Sequence, residues 1–165
     1  MDVEEYKHKV QQQLIAYDFA KISADDLEEQ GESFSDDERK IVQENELFLR
    51  ICSGHIEVVL IAEVPNQSVE DLKSMLIEFL DEDDSIEFEK EYRLFILLIA
   101  DRASKAMKTV AKRYTVEEWP EFVLPVLIGI EDESFTHHEK TGLLKSITTL
   151  HSMGETAEEY FKVQN

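Results

Sequence analysis

Along most of the chain, apolar residues recur at three- and four-residue steps, the spacing of one buried face of an α-helix. Val3, Tyr6, Val10, Leu14 and Tyr17 follow it, as do Ile41, Phe48 and Ile51, and then Leu72, Met75, Leu76, Phe79 and Leu80. From Ile86 to Tyr114 there is neither glycine nor proline. That span predicts one helix of about 29 residues, roughly 43 Å long, with Leu94, Leu97, Leu98, Met107, Val110 and Ala111 facing the core. Residues 55–64, with Ile56, Val58, Val59, Leu60 and Ile61, suit a short buried helix or a strand; helical neighbours favour the helix. Pro120 and Pro125 fall inside the pattern after Thr115 and should kink or split a helix there. Gly31, Gly54, Pro65-Asn66 and Gly154 punctuate the rest.

Helix-start signals accompany this periodicity. A small polar or acidic cap followed three residues later by a carboxylate satisfies free backbone N–H groups and places negative charge at the positive helix end. Ser35 with Glu38, Ser68 with Asp71, Thr115 with Glu118 and Thr136 with Glu139 fit; Asp2 with Glu5, Ser23 with Asp26 and Asp84 with Glu87 fit more loosely. The expectation is a single all-α domain spanning 1–165, an antiparallel array of six to eight helices.

Three of these starts are alike: Ser23-Ala24-Asp25-Asp26-Leu27, Ser68-Val69-Glu70-Asp71-Leu72 and Thr115-Val116-Glu117-Glu118-Trp119. They lie 45 and 47 residues apart, and each precedes a second start near Ser35, Ser85 or Thr136. The spacing resembles that of HEAT and armadillo repeats, and Pro125 stands where a HEAT unit often kinks its first helix. The first two units lack the proline, and residues 55–64 have no counterpart in the other units. The resemblance implies a short HEAT-like α-solenoid of stacked helical hairpins with a curved binding surface.

Charge changes the functional picture. Of a net charge of -20 over 165 residues, residues 1–89 hold 25 acidic and 7 basic side chains, and residues 90–165 hold 12 and 10. Such a field repels nucleic-acid backbones and anionic membranes, and it speeds encounter with basic surfaces. The N-terminus has no basic segment followed by an apolar one, and no apolar run approaches the ~20 residues of a membrane span. A cytoplasmic location is expected. Cys52 is the sole cysteine and reads as a buried, inert thiol.

Catalytic patterns are incomplete. Glu28, Glu29 and Glu32 with Glu78 and Asp81 imitate the carboxylates of helical Mg²⁺-dependent nucleotide pyrophosphohydrolases. Gly31 interrupts the first group, however, and the two groups lie 46 residues apart from Glu32 to Glu78, further than that family allows. Glu5-Tyr6-Lys7-His8 supplies only half of a di-iron set. The acidic run 81–84 lacks the glycine and the final glutamate of a calcium loop, since Ile86 and Tyr92 stand there. His137 and His138 with Glu139 would diverge by about 100° in a helical first turn and read as exposed cap residues. Arg102, Lys105, Lys108 and Lys112 share one face of the long helix and read as a solvated, acid-paired face.

No catalytic residue, cofactor or metal is therefore expected. The leading expectation is an acidic inhibitory module of the immunity or antitoxin type that neutralises a basic partner such as a nuclease, without binding nucleic acid or membrane itself. Its candidate contacts are Asp25, Asp26, Glu28, Glu29, Glu32, Asp36 and Asp37, with Asp81, Glu82, Asp83 and Asp84 as a second patch. The alternatives are a helical-repeat scaffold without inhibitory role and the metal-dependent nucleotide hydrolase.

Overall fold

A computed structural model of the chain describes residues 1–23, 25, 43, 45–63 and 91–164. Their order is α1 (Val3–Ala16), β1 (Ala20–Ile22), β2 (Glu46–Ile51), β3 (His55–Glu63), β4 (Glu91–Ala100), α2 (Lys105–Arg113), β5 (Val116–Glu118), β6 (Glu121–Gly129), β7 (Ser134–His137), a 3-10 turn (Lys145–Ile147) and α3 (Thr149–Phe161). The strands form a seven-stranded mixed sheet in the order β1-β2-β3-β4-β6-β5, with β7 also paired to β6. β1, β2 and β3 run antiparallel to one another, and β3, β4 and β6 run parallel.

The protein is thus α/β, and the expected all-α array and HEAT-like solenoid are overturned. The reason is clearest in β4. Leu94 to Ala100 is a continuous apolar run, buried at every position. A central parallel strand is covered on both faces, so it shows no alternation and is easily mistaken for a buried helix. The predicted helix over 86–114 accordingly resolves, within its described part, into strand β4, the Ser104-capped helix α2 and the loop between them. Residues 55–63 take the strand reading. The third repeat unit, Thr115 to Trp119, holds β5, and Thr136 and His137 end β7, so no helix begins at either.

Pro125 fits this sheet. Tyr92 N–H donates to Pro120 O at 2.7 Å, which in a parallel ladder aims the even-numbered amides of β6 at β4 and the odd ones outward. On that outer side β5 pairs with residues 121–123 and β7 with 126–129. Pro125 falls in the gap, where its missing N–H removes no ladder bond.

α1 and α3 cover one face of the sheet. Tyr6, Val10 and Leu14 of α1 and Leu150, Met153, Ala157, Tyr160 and Phe161 of α3 pack on Phe48, Val59, Ile61, Phe95 and Leu97. Tyr6 hydroxyl donates to Phe161 O at 2.6 Å and joins the two helices. The Asp2 cap of α1 forms as expected, accepting from Glu5 N–H. Gly154 does not punctuate; it lies within α3, where an added Cβ would meet the His137 ring at 3.1 Å. α2 lies on the other face, with Ala103, Met107 and Ala111 in the cluster of Val58, Leu60, Leu94 and Ile96.

Candidate functional site

β2 and β3 join through Cys52-Ser53-Gly54-His55. Cys52 N–H donates to His55 O at 2.9 Å, and Gly54 takes the left-handed φ of 90° that such a tight turn favours. The register then sets Arg50 directly opposite Glu57. Side chains alternate across a strand, so Glu57 projects to the same face as Val59 and Ile61, beneath the end of α3. Glu57 is the buried charged residue among the described core, at 3% exposure.

Its carboxylate is fully engaged. Oε2 accepts from Tyr160 hydroxyl at 2.6 Å, and Oε1 accepts from Arg50 Nη2 and from His55 Nε2, both at 2.9 Å. Cys52 Sγ stands 3.7 Å from the same Oε1. Arg50 also donates from Nη1 to Tyr17 O at 3.0 Å and from Nη2 to Tyr160 hydroxyl. Its guanidinium lies 5.1 Å from the Phe19 ring centroid and 5.5 Å from that of Tyr160. Tyr160 packs edge-on against Tyr17, Phe19 and Phe95. Two helix ends and the β2–β3 hairpin therefore converge on one carboxylate.

The electrostatics follow from these contacts. Burial pushes the Glu57 carboxyl up, but the hydrogen bonds from Tyr160, His55 and Arg50 with the Arg50 charge outweigh it and hold the group below the ordinary value. Burial and the neighbouring Glu57 both push the Tyr160 hydroxyl up, so it remains a donor. Burial, then the Glu57 charge, raises the Cys52 thiol. Cys52 is half-buried at a turn instead of sealed in a helix.

Among the described residues, Cys52, His55 and Glu57 form a group whose potential metal-ligating atoms all lie within 4.8 Å of one another. Sequence reasoning missed it. The signal was present as Cys-x-x-His with glycine in the turn, then a glutamate two residues on. Reading 55–63 as a strand would have set Glu57 beside the turn.

The residues singled out from the sequence fare differently. Asp25 is exposed just beyond β1. Asp26, Glu28, Glu29, Glu32, Asp36, Asp37, Glu78, Asp81, Glu82, Asp83 and Asp84 lie outside the described residues, as do Ser35, Ser68 and Ser85. His137 Nδ1 is taken up by His138 O at 2.9 Å, at the end of a strand instead of a helical first turn. Arg102 precedes α2 and pairs with Glu131 at 3.2 Å, and Lys108 pairs with Asp132 at 3.8 Å. Those pairs agree with a solvated, acid-paired face. No helix among the described residues is long and apolar enough to cross a membrane.

The fold and this cluster define the chain as an α/β protein with a buried ion-pair network beneath a β-hairpin turn. No protein-family model matches the sequence, and no curated protein or solved structure matches it.

Proposed function

We propose that the protein is an acidic binding module that docks on a basic protein partner and covers its charged surface, as an immunity or antitoxin protein covers a nuclease. The observation that carries this reading is where the charge is attached. Residues 24–44 hold nine acidic and two basic side chains, and residues 64–90 hold nine and two. These two connections carry 14 of the 20 net negative charges.

Ile22 at the end of β1 pairs with Leu47, and Glu46 at the start of β2 pairs with Ile61 near the end of β3. The first connection therefore leaves and rejoins the sheet at the same end at which the second leaves it. The second connection then returns to the sheet at its other end, at Glu91 opposite His55, so the end shared by both connections is the one where a basic partner is proposed to dock. Long-range attraction would speed association and would weaken with salt. A cytoplasmic location belongs to the same reading, because the partner to be neutralised would be met inside the producing cell.

The test is affinity capture from native extract, run beside a variant with Asp25, Asp26, Asp36 and Asp37 changed to Asn and Glu28, Glu29 and Glu32 changed to Gln. The reading expects a dominant basic protein, retained by the wild type, released by moderate salt and lost with the variant. A partner that survives both high salt and these substitutions would overturn it.

A further inference from the structure

The cluster lies at the opposite end of β3, where the second acidic connection rejoins the sheet at Glu91 opposite His55, and its ligand chemistry differs from that of a carboxylate run. A thiol, an imidazole and a carboxylate combine a soft sulfur, a borderline nitrogen and a hard oxygen, a set that suits zinc better than magnesium or calcium. We propose that Cys52 Sγ, His55 Nε2 and Glu57 Oε1 bind a single divalent ion of the zinc class, with water in the fourth position.

The distances carry the proposal. Around a tetrahedral zinc with ordinary bond lengths, the ligand atoms stand roughly 3.3–3.6 Å apart. Here Nε2 to Oε1 is 2.9 Å, Sγ to Oε1 is 3.7 Å, and all three atoms lie within 4.8 Å of one another. Closing the site requires shifts on the order of 1 Å in two side chains that flank a turn and are only half-buried.

The surroundings fit an ion as well. Tyr160 on Oε2 and Arg50 on Oε1 already fix the carboxylate, as outer-shell donors fix a ligating carboxylate. The ion takes the place of the proton that His55 Nε2 shares with Oε1; that proton moves to Nδ1, and the Cys52 thiol releases its own to solvent. The thiolate and the carboxylate offset the two positive charges of the ion, and Arg50 keeps its hydrogen bonds to Glu57, Tyr17 O and Tyr160, which leaves one net positive charge at the half-exposed turn. The half-exposed side of the turn leaves the fourth position to water, the arrangement of an open zinc site.

Cys52 is the only cysteine, which makes a thiolate-to-metal signal diagnostic. The chelator-treated full chain is titrated with Co²⁺ and then Zn²⁺, with metal content and the near-ultraviolet sulfur-to-cobalt charge-transfer band as readouts. The expected result is one equivalent of Co²⁺ per chain, with the band present and then abolished by Zn²⁺. Cys52→Ser should remove the band. His55→Gln, which keeps the thiol, should weaken binding by roughly 100-fold or more, beyond the 10–100-fold typical of losing an outer-shell partner. Circular dichroism confirms that both variants fold. Absence of the band in the wild type would overturn the proposal. So would half an equivalent per chain, or unchanged affinity in both variants, which would put the ion on carboxylates elsewhere.

Discussion

The two ends of β3 handle negative charge in opposite ways. At its start, a single carboxylate, Glu57, is 3% exposed and receives hydrogen bonds from tyrosine, histidine and arginine. At its finish, the chain enters a connection rich in carboxylates, next to the points where an equally acidic one leaves and returns. Desolvation makes the first arrangement costly unless every lone pair is met, so its geometry is tightly specified. Charges left in water need no specified partners and act through their summed field. The same residue type therefore serves architecture at one end and, on the proposed reading, recognition at the other.

The contrast can be broken most forcefully at Glu57. Glu57→Ala strands Arg50 against the Phe19 and Tyr160 rings and should cost about 3–5 kcal/mol, measured by urea unfolding. Asp25→Asn, at an exposed site beyond β1, should stay within about 0.5 kcal/mol. Equal losses for the two would erase the distinction. Next in size is Tyr160→Phe, which keeps the ring packing but removes the donor to Oε2; a loss of about 1–3 kcal/mol is expected.

The smallest effect is in pH dependence. The Glu57 carboxyl is depressed below its ordinary value of 4.5. Its ionisation therefore contributes stability that is fully present above that value and is lost as pH falls through the depressed one. Wild type should lose stability more steeply than Glu57→Gln in acid below about pH 4.5, and matching slopes would show that this carboxylate gains nothing from folding. Adding salt should leave the difference nearly unchanged, because a buried pair is poorly screened.

What could be read from the sequence divides along the same physical line. Local signals held where local forces dominate. The Asp2 cap forms, and Tyr6, Val10 and Leu14 are buried in α1 as their spacing implied. Where burial on two faces dominates, spacing misled. Leu94, Leu97 and Leu98 look like a helical stripe, yet Phe95 and Ile96 between them and Ile99 beyond them are equally buried. That uniform run was the mark of a central strand. Thr115 and Thr136 carry capping patterns that the sheet overrides, since Val116 to Glu118 and Ser134 to His137 pair with β6 on either side of Pro125.

The site was harder to read, because its members meet only through the hairpin register and the packing of α3. Arg50 and Glu57 meet only when the hairpin sets their register, and Tyr160 is 103 residues from Glu57. Only Cys52, His55 and Glu57 were close enough in sequence to be seen together. The dense acidic runs were legible as composition, and the sheet topology supplied the point where their connections attach.

The central claim is that the acidic connections at the end of β3 supply the attraction for a basic partner. The most direct measurement is the association rate of the captured partner over a series of salt concentrations, for the wild type and for the variant neutralised at Asp25, Asp26, Glu28, Glu29, Glu32, Asp36 and Asp37. The account predicts an association rate that falls steeply with salt in the wild type and is slower and less salt-dependent in the variant, which keeps the carboxylates of the second connection. Equal rates and equal salt dependence in the two proteins would contradict it.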